Sequence, residues 1–276
     1  MSESRTFEEL FLAQSPEENL KKKHLKILLL SNINSNNLYL YKLKEWQIEK
    51  NIYFDYLLYL GNFLSYSEDK DKNNLKEIAN DEAETGGLIS NLENLCLNVI
   101  YIGGNNDCVT LFKKPYPYLT VKSKNIHENF YKLADDLYLI GYGGYINDEN
   151  NFKLEETFDS LHKYIKENNR IKNFQTILLN NDSYNDNANS PENRRKNLLY
   201  EKIFKNKINN IFLNLNGNKD DKEGEYNLYD IKIINPGSLD KGQIAVLDLE
   251  RDIKNNFWKI QNIEYILNIL YYTYIN

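Results

Sequence analysis

The chain has 276 residues, 41% of them hydrophobic and 13% aromatic, which suits one large α/β domain with a substantial core and excludes a disordered tail. Its net charge of −6 excludes the basic balance of a general nucleic-acid binder. The two cysteines, Cys96 and Cys108, make no disulfide framework, the acidic, polar MSESRTFEEL opening is not expected to be a secretory leader, and no apolar run approaches the roughly 18 residues of a membrane span. A cytoplasmic location with no membrane span is the expectation.

In chain order, residues 1–24 are expected to form a polar arm, with a helical stretch near 6–14 and a basic run, KKKH, before the first strand. That strand is expected over 27–30. It ends abruptly in SNINSN, as a buried parallel strand does when it delivers a loop to its carboxyl end, where open α/β sheets place their sites. Apolar spacing at Leu38, Leu40, Leu43 and Trp46 predicts a helix over 38–50. A second buried strand over 56–60 ends at Gly61-Asn62. Helix is expected on either side of Gly86-Gly87, and a third strand over 98–102 runs into GGNND at 103–107.

Beyond this, a strand over 138–140 leads into Gly141-Tyr142-Gly143-Gly144. Leu154, Phe158, Leu161 and Ile165 mark an amphipathic helix over 154–168. A strand over 176–179 ends at Asn180-Asn181-Asp182, and the polar stretch 183–193 is expected to be a loop. A helix over 194–205 and a strand over 209–213 follow. Strands are then expected over 229–234, 243–249 and 257–266, with Asn235-Pro236-Gly237-Ser238 as a turn after the first of them. Helices alternating with strands, and strands gathering late, predict one α/β domain with two stacked sheets.

Set side by side, the strand-end loops are SNIN at 31–34, GN at 61–62, GNND at 104–107, Asn181, LNLN at 213–216 and NPGS at 235–238. Their order and strand context resemble the calcineurin-like metallophosphoesterase superfamily. Its pattern is DxH, GD, GNH followed by Asp or Glu, a lone His, then GHxH. The nearest look is to a branch with a GxGG loop midway and NPGS near the end. The resemblance covers about residues 25–249. It implies an α/β, four-layer sandwich of two stacked mixed β-sheets flanked by helices, as a single domain over 25–276.

The resemblance also implies a centre of two divalent metals, with a metal-bound hydroxide attacking phosphorus. The implied ligand positions here are Asn32, Asn34, Asn62, Asn105, Asn181, Asn214 and Asn216, with Asn106 in the position of the leaving-group acid. Asn180 is the alternative register for Asn181. Only Asn105 keeps the family's residue. An amide offers a weak neutral oxygen and cannot bridge two ions as a carboxylate does. His24, His127 and His162 lie outside the motif positions; Asp107 and Asp182 neighbour them and are candidates for weak ligands.

These substitutions imply a pseudoenzyme with vestigial positions, no metal cofactor and a protein partner. Each change of Asp or His to Asn is one base change in an AT-rich codon set, so drift after loss of function stands beside selection for an amide-lined cleft. A retromer subunit of this fold, which binds protein partners, is the precedent. The alternatives are an active hydrolase using Mn, Mg, Zn or Fe through Asn105, Asp107 and Asp182, or a metal-free binder of a phosphorylated ligand through amides and loop N–H groups. Cys108 is expected to be a plain loop thiol. The terminal aromatics Tyr265, Tyr271, Tyr272 and Tyr274 are expected to pack on the sheet.

Overall fold

The computed structural model describes residues 20–66, 74–112, 123–144, 148–168, 173–181, 191–206, 210–217, 223–255 and 257–269. The expected helix near 6–14, the residue Asp182 and the tyrosines at 271, 272 and 274 lie outside these.

Strand β1, His24–Leu30, is buried on both faces from Ile27 onward, as its unbroken apolar run requires. Ile27 and Leu29 face one core while Leu28 and Leu30 face another. Helix α1, Leu38–Lys50, buries Leu40, Leu43 and Trp46 and ends at Asn51, whose left-handed backbone caps the last turn. Strand β2, Tyr56–Tyr59, pairs parallel with β1. Helix α2 runs unbroken over Leu75–Glu93, through Gly86-Gly87 where two helices were expected. The buried stripe Thr85, Leu88, Ile89 and Leu92 outweighs the roughly 1 kcal/mol that each helical glycine costs.

Strand β3, Val99–Tyr101, is followed by two short strands for which no alternation was visible, β4, Ser123–Asn125, and β5, Asn129–Ala134. Then come β6, Leu137–Tyr142, α3, Asp148–Glu167, β7, Gln175–Asn180, α4, Pro191–Lys205, and β8, Ile211–Asn216. The strand expected over 229–234 is β10, Ile231–Asn235, and it is the second arm of a hairpin whose first arm, β9, Gly224–Leu228, was not expected; Tyr229 lies in the turn at a positive φ of 56°. Strands β11, Ile244–Asp252, and β12, Phe257–Ile266, finish the described fold.

These strands form two six-stranded sheets, ordered β12-β11-β1-β2-β3-β4 and β5-β6-β7-β8-β10-β9. Both mix parallel and antiparallel pairs. Between them lies an apolar layer holding Ile27, Leu58, Leu139, Leu179, Leu215 and Leu247. The outer face of the first sheet is covered by α1 and α2 through Leu43, Trp46 and Leu92. The outer face of the second is covered by α3 and α4 through Leu154, Phe158, Leu161 and Tyr200. The molecule is a four-layer α/β sandwich, as expected.

Within the polar segment 1–24, residues 20–24 contact the body of the fold. Leu20 O accepts from Asp135 N at 3.1 Å, and Lys22 Nζ meets Asp55 Oδ1 at 2.5 Å. Tyr265 packs partly buried against the inter-sheet layer. No helix among the described residues is long and apolar enough to cross a membrane.

Candidate functional site

The carboxyl ends of β1, β2, β3, β7 and β8 deliver their loops to one place. The backbone explains the residue type found there. Asn32, Asn34 and Asn62 have φ of 54°, 49° and 62°, a left-handed conformation that asparagine adopts more easily than most side chains. Two loops are locked together by the buried Tyr59 phenol. Its hydroxyl donates to Asn62 O at 2.8 Å and accepts from Ile33 N at 3.1 Å.

The amides close on one another. Asn32 Nδ2 donates to Ser31 Oγ and to Gly217 O, each at 2.9 Å. That fixes the amide's orientation and leaves Asn32 Oδ1 to accept from Asn62 Nδ2 at 2.7 Å. Asn62 Oδ1 accepts from Asn106 N at 3.3 Å. Asn181 Nδ2 donates to Leu60 O at 2.6 Å, and its Oδ1 accepts from Asn105 N at 3.3 Å. Asn34 Nδ2 donates to Asp240 Oδ2 at 2.6 Å. Asp240, on the turn after NPGS, carries no motif signature and was not foreseen; Ser238 Oγ holds its other oxygen at 2.5 Å.

Asn32, Asn34, Asn62, Asn105, Asn106 and Asn181 are thus brought together, and at the end of β7 it is Asn181 that joins them. Asn180 points the other way and donates to the Tyr200 hydroxyl in α4. Asn214 and Asn216 do not join the cluster. Asn214 pairs in register with Leu178 and Ile233, both in the outer core beneath α3 and α4, while its neighbours Leu213 and Leu215 face the inter-sheet layer. Side chains alternate along a strand, so Asn214 and Asn216 face the helices. The strand end is Gly217, whose carbonyl takes both Asn32 and Asn181. Read from there, GNKD at 217–220 keeps the glycine of the family's GHxH; Asn218 and Asp220 lie outside the described residues.

Asp107 has a different task from ligation. Its Oδ2 accepts from Asn62 N at 3.0 Å and Gly104 N at 2.6 Å, and its Oδ1 from Leu64 N at 3.0 Å. It ties the second and third loops together, and burial pushes its carboxyl up to about 7 against those N–H donors. The three histidines stay away. His24 is beside Glu250 at the far end of β1, and His162 packs on Phe174. His127 accepts from Gly143 N through Nδ1 at 3.0 Å, so it supports the GxGG loop.

Among the described residues, the donor set falls short of what two divalent ions need. Asn32 and Asn62, which stand where the family's DxH and GD carry aspartate, face each other through an amide N–H, and an N–H cannot ligate a cation. Among the described residues no group of three or more His, Cys, Asp or Glu could hold a metal. Two buried oxygens, Asn34 Oδ1 and Asn105 Oδ1, have no hydrogen-bond partner.

With the geometry established, comparison with known proteins decides the family. The profile described as "Metallophosphoesterase, calcineurin superfamily" matches residues 20–257. The chain belongs to that superfamily. Searching curated proteins finds no significant match. Among solved structures, the superfamily fold is shared with TT1561 of Thermus thermophilus, at 17% identity and TM-score 0.53, over 86% of this chain and 98% of that one. A dimetal phosphatase from Danio rerio aligns at 8% identity and TM-score 0.54, over 88% of this chain and 98% of that one. A putative 5'-nucleotidase from Staphylococcus aureus aligns at 13% identity and TM-score 0.53, over 88% of this chain and 54% of that one. At these identities the likeness is one of fold.

Both thiols are inert by placement. Cys108 is buried, its thiol is pushed up by desolvation, and it lies 2.9 Å from Thr110 Oγ1. Cys96 is fully buried and pushed up to about 12. A thiol-reactive dye at mildly alkaline pH should therefore label neither in the folded chain and both after unfolding. Rapid native labelling at Cys108 would show a looser third loop than this one.

Proposed function

We propose that this metallophosphoesterase-fold chain is a pseudoenzyme without a working binuclear centre, serving as a protein-interaction or scaffold module. The supporting observation is the Asn62 Nδ2 to Asn32 Oδ1 hydrogen bond, because it joins the two positions at which metal chemistry most needs negative charge. The active-hydrolase alternative would draw on Asp107, whose two oxygens are already taken by three backbone N–H groups. A phosphorylated ligand would meet unpartnered acceptors at the buried Asn34 Oδ1 and Asn105 Oδ1, which repel an anion. The two buried cysteines, joined in no disulfide, accord with a cytoplasmic setting.

The test is metal content after incubation with excess Mn²⁺ and desalting, read by elemental mass spectrometry, with phosphomonoester and phosphodiester hydrolysis assayed in parallel. The expected result is far less than one ion per chain and no metal-stimulated turnover. Close to two ions per chain, with turnover lost on Asn105→Ala, would overturn the proposal and establish a hydrolase with an amide-rich site.

A further inference from the structure

Strand β12 is an edge of its sheet, ten residues long, and among the described residues no strand pairs with its outer side. Long bare edges invite another chain, and the residue pattern here specifies which one. Trp258, Ile260, Ile263 and Tyr265 all pack on the inter-sheet layer, while Ile266 belongs to the opposite face. A regular strand cannot place 258 and 260 on the same face as 263 and 265. The bulge in the β11–β12 pairing does so, because Asp248 pairs with Asn262 and Leu249 with Ile260, leaving Gln261 as the extra residue.

The bulge gives the strand twofold character about a point between Gln261 and Asn262. Laid antiparallel against a second copy about that point, Ile260 meets Ile263 on the inner face, and Trp258 and Tyr265 fall at the two ends of the shared segment. Lys259 meets Glu264 and Phe257 meets Ile266 on the outer face. Gln261 meets Asn262 at the centre. Aromatic, β-branched and opposite-charge pairs are the cross-strand pairs that stabilise antiparallel ladders. Without the extra residue the same twofold would set inner positions against outer ones.

We propose that β12 is a homodimer interface, pairing with β12 of a second copy to join the two β12-containing sheets into one. Gln175 sets the extent of the ladder. Its side-chain amide bonds both peptide groups of Trp258, so that position is capped and Ile260 and Ile263 carry the central pairing. Lys259 already meets Glu250 of its own chain at 3.0 Å, and Glu264 of the second copy would flank it from the other side. This inference is independent of whether the amide cluster binds anything.

The test is sedimentation equilibrium from low to high micromolar, combined with hydrogen exchange over 257–266. The expected result is a species of twice the 32.7 kDa chain mass, with β12 amides that slow as concentration rises. E264K places like charges opposite each other twice across the twofold and is expected to weaken dimerisation by about tenfold or more. The double swap K259E/E264K is expected to recover most of that loss. A monomer at every concentration overturns the proposal. So does a dimer whose β12 exchange is independent of concentration, or one that E264K leaves unchanged.

Discussion

Replacing Asp107 with alanine is expected to cost about 4 kcal/mol of folding stability, among the largest single-residue effects in the molecule. The side chain is buried and accepts from Asn62 N, Leu64 N and Gly104 N, and truncation leaves all three donors without a partner and without water. Each buried orphan donor costs about 1–3 kcal/mol, partly offset by removing a carboxyl that burial already penalises. Urea unfolding of the variant against wild type measures the loss. The pH dependence tests the same group. Burial raises Asp107 to about 7 from an ordinary value near 3.8, so between those values the folded chain keeps a proton that the unfolded chain releases. Its contribution is therefore full below the lower value and is lost as pH rises toward the upper one. The stability difference between wild type and Asp107→Asn should shrink across that window; a difference that stays flat would mean the carboxyl is ionised throughout.

Gly217→Ala should rival it, with a loss of about 3 kcal/mol or more. A Cβ at this position would come within 2.2 Å of Leu60 O and 2.5 Å of Leu60 Cβ. Relief by a backbone shift is blocked, because Gly217 N donates to Asn180 O at 2.9 Å while its carbonyl holds Asn32 and Asn181. A shift here would pull apart the end of β2, the end of β7 and the first loop together. Gly87→Ala is the control, since no heavy atom lies within 4 Å of the added carbon. In mid-helix it should raise stability by about 0.5–1 kcal/mol. Thermal melts of the two variants should therefore move in opposite directions. Equal behaviour would show that the two sheets are not held closely at Gly217.

Much of the fold was legible because its central strands are continuous apolar runs cut off by small polar residues. LKILLL and YLLYLGN can be little else in an α/β chain. Strands β4 and β5 were not legible, since SKN and NFYKLA carry no clean alternation and their place is set by partners far along the chain. In the site, the loops after β1 and β2 could be read because glycine and asparagine sit where the backbone turns left-handed, and the loop after β3 because Gly103 and Gly104 sit where a Cβ would collide with Phe112 and Asn62. The loop after β8 misled because LNLN imitates the spacing of a ligand pair, whereas both of its asparagines are strand residues that face outward. Asp240 was hidden for a simpler reason. It reaches Asn34 only through a fold that joins residues 206 positions apart.

The pairing of β1 with β11 bears on how the molecule is made. Leu25 lies opposite Leu249 and Ile27 opposite Leu247, so the third strand of the β12-containing sheet gains its antiparallel neighbour only after nearly all of the chain has been synthesised. Until then one long edge of β1 is bare and strongly apolar, flanked only by β2. Contacts this distant in sequence slow folding, since a large loop must close before they can form. A nascent or truncated chain ending before residue 244 would expose that edge to its neighbours, and aggregation during synthesis is the hazard built into this order of assembly.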